Sequence, residues 1–516
     1  MIKKIIFTAI LIWQVGVLHS EKINIYHTSD VHGMYSSRLA KWDKENSTRS
    51  IGGFAAMSSY IKKDTNPVIL LDSGDMFQGT PEGNVTTGMA SIEYMNMLGY
   101  SATVVGNHDY DFGEENLKNL IKSAKFPFLG SNVYYKEDIK PVEYLKPWII
   151  INKNGKKIAI LGIAGEHTKT STLPINVKHL FFGSETKETE KYMNEISAEK
   201  PDAIIILAHI GIDGTLSAKL IDISTYTMTA EKHTTLGIAR SAKNADVIIG
   251  GHNHTGLLKG YRDPKTNTLI CESYWGLTHI TKVELDFDDK TGKLKSTSCE
   301  LIPLWTDITG EDPKVLELTQ KISSETAKKM DIIVGHAELP LTFESESLDN
   351  PIGNFLTDIT LWKAEADMAF QNAGGVRNII PQGDVKLRDL YQVMPFENTI
   401  VKIKMKGSDI YDLIKDNIRP DRTAMYVSGI KVKYWIENDK VSKIEIEKDG
   451  KPIELEKEYT VATNNYLSSG GSGGKVFSKI AGHQDTMILV RDAMIEWVRK
   501  NKEIKIPDTK RFIKME

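Results

Sequence analysis

Five apolar segments of this chain end in side chains that can bind a metal ion or transfer a proton. The endings are Asp30-Val31-His32, Gly74-Asp75, Gly106-Asn107-His108, His209 and Gly251-His252-Asn253-His254. Core packing explains the apolar residues but not these endings, because a buried carboxylate or imidazole is costly unless it is paired or bound to a metal. As a set, the endings predict one shared polar site.

The spacing within these endings directs the side chains to a common place. Asp30 and His32 stand two residues apart on an extended segment, as do His252 and His254, so each pair points to one side. The glycine before Asp75 lets the chain turn sharply towards the sheet edge. Together the donors can hold two divalent metal ions that share a bridging carboxylate, which activates water and clamps a phosphoryl group. Such donors accept manganese, zinc, cobalt or iron, and the sequence leaves the metal open.

The elements that must position this site are apolar strands separated by helices. Strands are predicted over residues 23–29, 67–71, 102–105, 157–164, 202–208 and 245–251, with a helix near residues 90–98. The carboxyl ends of such strands present their following residues to a ligand. Two nearby residues are assigned other roles, because Asp72 is expected to cap or hydrogen-bond a loop and His167 is expected to be a loop residue rather than a ligand.

Length and composition indicate a two-domain protein of ordinary soluble composition. A chain of 516 residues is too long for one hydrophobic core. It is 41% hydrophobic and 26% charged, and its formal net charge of −3 gives no support to a partner that is a nucleic acid polymer. After Trp305 the strand pattern fades, and Asp312 before Pro313 predicts the start of a connecting helix over residues 314–330.

Residues 1–20 have the pattern of a signal peptide. Lys3 and Lys4 precede an almost wholly apolar run that ends near the small residue Ser20. The protein is therefore expected to be exported, to the periplasm or to the cell surface and medium, although an uncleaved N-terminal anchor is an alternative. We expect no membrane span in the mature chain. The two cysteines, Cys271 and Cys299, could pair or remain separate buried thiols.

The second half contains three loops with binding chemistry. In Asn372-Ala373-Gly374-Gly375-Val376-Arg377 the glycines let backbone amides approach an anion, and the arginine is a bidentate phosphate donor. Phe396 and Tyr466 each come from a separate loop, and two such rings can sandwich a flat base. The alternative for these rings is packing at a domain corner.

The metal-binding endings resemble those of the calcineurin-like metallophosphoesterases, and with the later loops the chain resembles the exported 5′-nucleotidase family, which includes bacterial UDP-sugar hydrolases. This resemblance implies an α/β (α+β) protein with an N-terminal four-layer α/β/β/α sandwich and a C-terminal α/β substrate domain. The implied divisions are residues 1–20 (signal peptide), 21–309 (metallophosphoesterase domain), 310–332 (connecting helix) and 333–516 (substrate-binding domain).

The resemblance also implies a role for each site residue. The first metal ion would be held by Asp30, His32 and His254, the second by Asn107, His209 and His252, and Asp75 would bridge them. His108 would sit over the leaving oxygen, and Asp111 would hold its ring and raise its pKa. The substrate would be bound by Asn372, Gly374, Gly375, Arg377, Phe396, Tyr466 and Ser472.

Two departures from the family pattern concern the substrate and not the phosphoester chemistry. The family has an arginine shortly before the turn that matches Ile352-Gly353-Asn354, whereas residues 343–350 here are acidic and contain no arginine. The family aspartate that contacts ribose hydroxyls is replaced by Ser472, which grips two hydroxyls less firmly than a carboxylate. The same loop also contains the G-x-S-x-G motif of the nucleophile elbow in serine hydrolases. The glycines that flank Ser472 fit a flexible binding loop better than such an elbow.

The sequence thus predicts a metal-dependent phosphohydrolase, with a nucleoside 5′-monophosphate as the small-molecule substrate. A hydroxide held by the two metal ions would attack phosphorus in line and release phosphate. UDP-sugars and 2′,3′-cyclic nucleotides are alternative substrates of the same site. A sulfur-ester hydrolase of the thiosulfohydrolase type and a non-enzymatic nucleotide-binding surface protein are more distant alternatives.

Overall fold

The computed structural model describes residues 21–516, except 224, 227, 229–231, 344–347, 397 and 508–509. The predicted signal peptide lies outside the described residues, as does the centre of the acidic segment at residues 343–350. Within the described part of the chain, no helix is long and apolar enough to cross a membrane.

Two mixed six-stranded sheets form the N-terminal half. In spatial order, the first contains Leu294–Pro303, His279–Phe287, Glu21–Thr28, Val68–Asp72, Ala102–Val104 and Phe128–Leu129. The second contains Tyr261–Arg262, Leu269–Glu272, Val247–Gly250, Ala203–Ala208, Lys156–Ile163 and Trp148–Lys153. In both sheets the four strands nearest the site residues run parallel, and antiparallel strands lie at an edge.

The two sheets face each other across an apolar core, with helices on the outer faces. Ile25, Leu71 and Val104 of the first sheet share this core with Ile205 and Ile249 of the second. The outer helices are Phe54–Ile61, Met89–Leu98 and Glu114–Ser123 against one sheet, and Glu185–Ala198 and Thr235–Ser241 against the other. The short helix Pro81–Val85 contacts Met89–Leu98 and the helix Pro313–Met330. This is the four-layer α/β/β/α arrangement that the resemblance implied.

Short elements complete this half. They are the strand pairs Val133–Tyr135 with Leu180–Phe182, Leu220–Ile221 with Gly256–Leu257 and Arg38–Leu39 with Ser50–Ile51, the short helices Thr168–Ser171, Pro174–Val177 and Thr306–Thr309, and the 3₁₀ turns His108–Tyr110 and Gly214–Leu216. Cys271 is buried between the large sheets, and both Cys271 and Cys299 are free thiols.

The C-terminal half is an α/β unit with its own sheets. Its five-stranded sheet contains, in order, Met425–Ser428, Met368–Asn372, Glu458–Asn464, Thr399–Lys406 and Gln484–Leu489. The smaller sheets are Lys451–Pro452, Lys440–Lys448, Lys431–Glu437 and Phe512–Lys514, and Gly383–Lys386, Ile333–Ala337 and Glu503–Ile504. The helices are Pro351–Ala364, Leu387–Val393, Gly407–Asn417, Asn465–Ser468 and Val490–Asn501, with 3₁₀ turns at Ala373–Gly375 and Phe477–Lys479.

A single long helix, Pro313–Met330, joins the halves where a connecting helix was predicted. The Asp312 side chain caps its start by accepting a hydrogen bond from the Lys314 amide at 3.1 Å, and it also accepts one from the Ser58 hydroxyl. Val315 and Ile322 pack into the N-terminal core. The helix is therefore anchored on the N-terminal side, while the exact domain limits stay a prediction.

Replacing Asp312 with Ala should lower the free energy of unfolding by about 1–2 kcal/mol, because the helix loses its cap and Ser58 loses an acceptor. Urea denaturation followed by circular dichroism measures this change. Lys314→Ala is the matched control, since that exposed side chain lies in the same helical turn. Equal stability of the two variants would contradict the anchoring role of Asp312.

Candidate active site

The predicted metal ligands all lie just beyond the carboxyl ends of the central strands. They come from both large sheets, whose facing strands bring the loops together above the core. Five of these residues have left-handed backbone angles, namely Asp30 (φ 51°), His32 (50°), Asp75 (56°), His252 (71°) and His254 (57°). Such angles are uncommon for residues other than glycine and cost about 1–3 kcal/mol each. The chain thus accepts backbone strain to direct these side chains inwards.

Asp30, His32 and His254 form the first cluster. The Nε2 atoms of the two imidazoles are 3.0 Å apart, and the Nε2 of His254 is 3.6 Å from Oδ1 of Asp30. That Oδ1 is buried and finds no hydrogen-bond donor among the described residues. Since Nδ1 of His32 donates to the Gln78 carbonyl at 2.8 Å, its Nε2 carries a lone pair. This lone pair, beside a second imidazole and a carboxylate oxygen without a donor, fits a bound cation.

Asn107, His209 and Asp75 form the core of the second cluster. Nε2 of His209 lies 3.1 Å from Oδ1 of Asn107 and 3.3 Å from Oδ2 of Asp75. His209 Nδ1 donates to the Ser73 carbonyl at 2.5 Å, and the Asn107 amide donates to the Ser171 carbonyl at 2.9 Å, so both ligand atoms are turned inwards. This is the outer-shell support that metal-binding imidazoles normally have.

The two clusters are joined through the aspartates. Asp30, Asp75 and His209 can offer ligand atoms that lie within 4.8 Å of one another. His252 belongs to the same region, because its backbone amide donates to Oδ2 of Asp30 at 3.0 Å and its ring lies 5.2 Å from that of His209. The structure therefore brings all seven predicted ligands into one place.

Burial sets the charge of these groups. It lowers the pKa of His32 to about 3 and that of His252 and His254 well below 6.5, so the rings are neutral, as metal ligands must be. Burial also raises the pKa of Asp30 to about 7. In His209 burial opposes the charge, but the Asp75 carboxylate outweighs it and raises the pKa to about 10. A divalent ion would supply the positive charge that these carboxylates otherwise draw from a proton.

His108 and Asp111 form a separate pair at the edge of the clusters. Nδ1 of His108 is 2.7 Å from Oδ2 of Asp111, whose Oδ1 accepts from the Thr172 hydroxyl at 2.7 Å. Burial opposes a charge on His108, but Asp111 and then Asp75 overcome it and raise the pKa of His108 above 6.5. The pair can therefore hold a proton on the imidazole next to the clusters.

Asp109 has a structural role that the sequence analysis did not assign. Its buried carboxylate accepts hydrogen bonds from the backbone amides of Gly106 at 2.8 Å and of Asp75 and Met76 at 3.1 Å. It thus ties together the loops that carry Asp75 and Asn107. The sequence signal for this loop-bracing role was its position two residues after the predicted ligand Asn107.

Asp72 forms hydrogen bonds within its loop region, as expected. Its carboxylate accepts from the hydroxyls of Thr28 and Thr103 and from the Gly74 amide.

A cavity of about 310 Å³ opens beside the clusters and is shared by both halves of the chain. His108, Asp111, Asn107 and His252 line it from one side, and Asn372, Gly374, Arg377, Phe396, Tyr466 and Ser472 from the other. Gly375 is buried and is not part of this lining, and an added Cβ there would meet the Asn372 side chain at 2.9 Å, so its contact with substrate stays a prediction. The other predicted substrate residues are brought together.

Contacts from both halves hold the Phe396 loop. The Pro395 carbonyl accepts from Gln78 at 3.1 Å, from Asn84 at 2.7 Å and from Arg491 at 3.2 Å. The Phe396 ring lies 5.6 Å from that of His108, and the Arg377 guanidinium lies 5.4 Å from its centre. Sequence reasoning missed these supports because they come from residues distant in the chain.

Tyr466 is held on the opposite loop. Its hydroxyl donates to Ser472 Oγ at 3.2 Å and accepts from the Ser472 amide at 3.1 Å. The ring packs directly on Gly471, where an added Cβ would lie 2.6 Å from ring atoms. The glycine-rich segment therefore packs against the Tyr466 ring. This packing agrees with a binding loop and not with the nucleophile elbow of a serine hydrolase.

Comparison with known proteins identifies two domain families in the chain. The model of the calcineurin-like phosphoesterase family matches residues 23–256, and that of the 5′-nucleotidase C-terminal domain matches residues 333–479. Protein UshA of Yersinia enterocolitica is 25% identical, over 93% of this chain and 91% of its own length.

Two solved structures share the fold. The 5′-nucleotidase precursor of Thermus thermophilus has a TM-score of 0.78 and 23% identity, and the match covers 96% of this chain and 99% of that one. The sulfate thiohydrolase SoxB of the same species has a TM-score of 0.73 and 15% identity, over 96% of this chain and 97% of that one. At these identities both similarities concern the fold alone.

Gly106 offers a test of the metal assignment. An added Cβ there would lie 2.2 Å from Oδ1 of Asp75, so Gly106→Ala should displace that carboxylate and weaken metal binding by at least about tenfold. The bound metal is measured by mass spectrometry after dialysis against a metal buffer. Gly214→Ala is the control, because nothing lies within 4 Å of an added Cβ there. Unchanged metal content in Gly106→Ala would contradict the placement of Asp75.

Proposed function

We propose that this chain, which belongs to the 5′-nucleotidase family and carries its calcineurin-like phosphoesterase domain, hydrolyses nucleoside 5′-monophosphates with two bound divalent metal ions. The observation that carries this proposal is the single cavity in which the His108–Asp111 pair faces Arg377, Phe396 and Tyr466. One wall can act on a phosphoester, and the other can hold an anion and a flat ring.

The residues present fit a pair of metal ions. The unpartnered Oδ1 of Asp30 and the facing imidazole nitrogens of His32 and His254 suit one ion, and Asn107, His209 and His252 suit the other, with Asp75 between them. When bound, two such ions activate water and neutralise phosphoryl oxygens. Manganese, zinc, cobalt and iron all accept these donors.

The chain's own residues would then position the phosphoryl group and protonate the leaving oxygen. Arg377 offers a bidentate donor to the phosphoryl oxygens from the C-terminal wall. His108 holds a proton because Asp111 raises its pKa, and it donates this proton to the departing alcohol. Thr172 keeps Asp111 oriented, so the imidazole keeps its Nδ1 bound and its Nε2 available.

Phe396 and Tyr466 would hold the base between their rings. Stacking on an aromatic side chain contributes about 1–3 kcal/mol per base in single-strand binding proteins. Ser472, hydrogen-bonded to Tyr466, would contact the ribose hydroxyls in place of a carboxylate. Recognition of the nucleoside would therefore depend on the two rings more than on ribose contacts.

A second candidate substrate is a nucleotide sugar, and one observation favours it. A further cavity of about 600 Å³ reaches the first cluster from another side, and His32, His254, Trp275 and Arg377 are part of its lining. Since Arg377 lines both cavities, a phosphorus atom held at the clusters would have room for a nucleoside on one side and a second substituent on the other.

Export from the cytoplasm is also part of the proposal, and it rests on the signal-peptide pattern of residues 1–20.

The products formed from four compounds test the substrate assignment: phosphate from AMP and from glycerol phosphate, UMP from UDP-glucose, and a nucleoside monophosphate from 2′,3′-cyclic AMP. We expect metal-dependent preference for AMP in the wild-type protein. Phe396→Ala and Tyr466→Ala should each raise the KM for AMP by roughly 5- to 150-fold, which corresponds to about 1–3 kcal/mol of stacking. Glycerol phosphate, which has no flat ring to stack, serves as the internal control. Equal losses on both substrates would contradict the base clamp, and preference for UDP-glucose would favour the nucleotide sugar.

A further inference from the structure

His167 lies against the second cluster, although the sequence analysis excluded it from the ligands. Its ring stacks on that of His252, with centroids 3.6 Å apart and planes 25° apart, and lies 6.0 Å from the ring of His209. The three residues can each offer a nitrogen such that these atoms lie within 4.8 Å of one another. His209 and His252 are already predicted to share one metal ion, so a third imidazole stands beside the same ion.

The loop after strand Lys156–Ile163 is built to place this ring. The Asn132 side chain accepts from the Ala164 amide at 2.9 Å and donates to the Ala164 carbonyl at 2.7 Å, which fixes the start of the loop. His167 then folds back over Gly165, where an added Cβ would lie 1.9 Å from Cε1 of the ring. Only glycine at position 165 leaves space for this inward orientation.

The Nε2 atom of His167 has an unmet need for a partner. It is buried and finds no hydrogen-bond partner among the described residues. A buried polar atom that stays unpaired costs free energy, so such an atom next to two candidate ligands indicates a group that binds there. Stacking on His252 explains the contact between the rings, but it leaves this nitrogen without a partner.

We propose that His167 is a third imidazole ligand of the second metal ion, together with His209 and His252. This inference rests on the proposed dimetal site and adds a nitrogen donor to one half of it. The first ion would have two imidazoles and the second three. Because imidazole favours zinc, cobalt, nickel and copper over manganese and magnesium, the second site would be the more selective and the tighter for cobalt or zinc.

Cobalt titration of the metal-free full-length protein tests this proposal through the visible absorption of the bound ion. Wild type should bind two ions per chain. His167→Phe keeps a ring to stack on His252 but has no donor nitrogen, and His167→Ala removes both. In each variant one ion should bind as in wild type and the other at least about tenfold more weakly. His179→Ala is the control, since that exposed imidazole contacts Glu114 instead.

Wild-type affinity for both ions in His167→Phe and His167→Ala would overturn the proposal and leave His167 as a stacking residue. Fewer than two ions in wild type would instead contradict the dimetal site itself. Should the variants fail to fold, a crystal structure of the zinc-loaded wild type decides the matter. A ring nitrogen of His167 should lie about 2.0–2.1 Å from the second ion, and a separation above about 3 Å would refute its role as a ligand.

Discussion

Two buried carboxylates, Asp30 and Asp75, face buried imidazoles where the strands of two sheets end, and this arrangement governs the rest of the structure. Each aspartate is at most 2% exposed. Removing such charges from water costs several kcal/mol per ion unless an opposite charge compensates for them. The Oδ1 of Asp30 finds no donor among the described residues, and the Nε2 atom of His254 lies 3.6 Å from it and 3.0 Å from the Nε2 atom of His32. These observations support the proposal that cations occupy the site.

Holding these groups in position requires a stiff support. Five of the predicted ligands have left-handed backbone angles, and strain of this kind persists only when the surroundings over-determine it. Asp109 provides part of this constraint through three backbone amides, and Gly106 leaves the space that Asp75 occupies. The apolar core between the sheets keeps the strand ends in register. The C-terminal half lines the cavity beside this edge with Phe396 and Tyr466, whose loops are themselves held by hydrogen bonds.

Much of this could be predicted from the sequence because strand ends and ligands are local patterns. An apolar run followed by Asp-x-His or Gly-Asp is visible in a few residues, and Asp312 with Pro313 indicates the start of the connecting helix. The supports of the site could not be predicted in the same way, since they depend on contacts between distant segments. Thr172 reaches Asp111 over 61 residues, Asn132 fixes the loop that carries His167, and Pro395 is held from both halves.

The most direct test of the central claim is the number of metal ions per chain that AMP hydrolysis requires. Metal-free protein is titrated with manganese while bound metal and phosphate release are measured together, in wild type and in Asp75→Ala. The account predicts that activity rises as two ions bind per chain and that Asp75→Ala neither binds both ions nor turns over substrate. Full activity without bound metal, or an Asp75→Ala variant that keeps wild-type turnover, would contradict it.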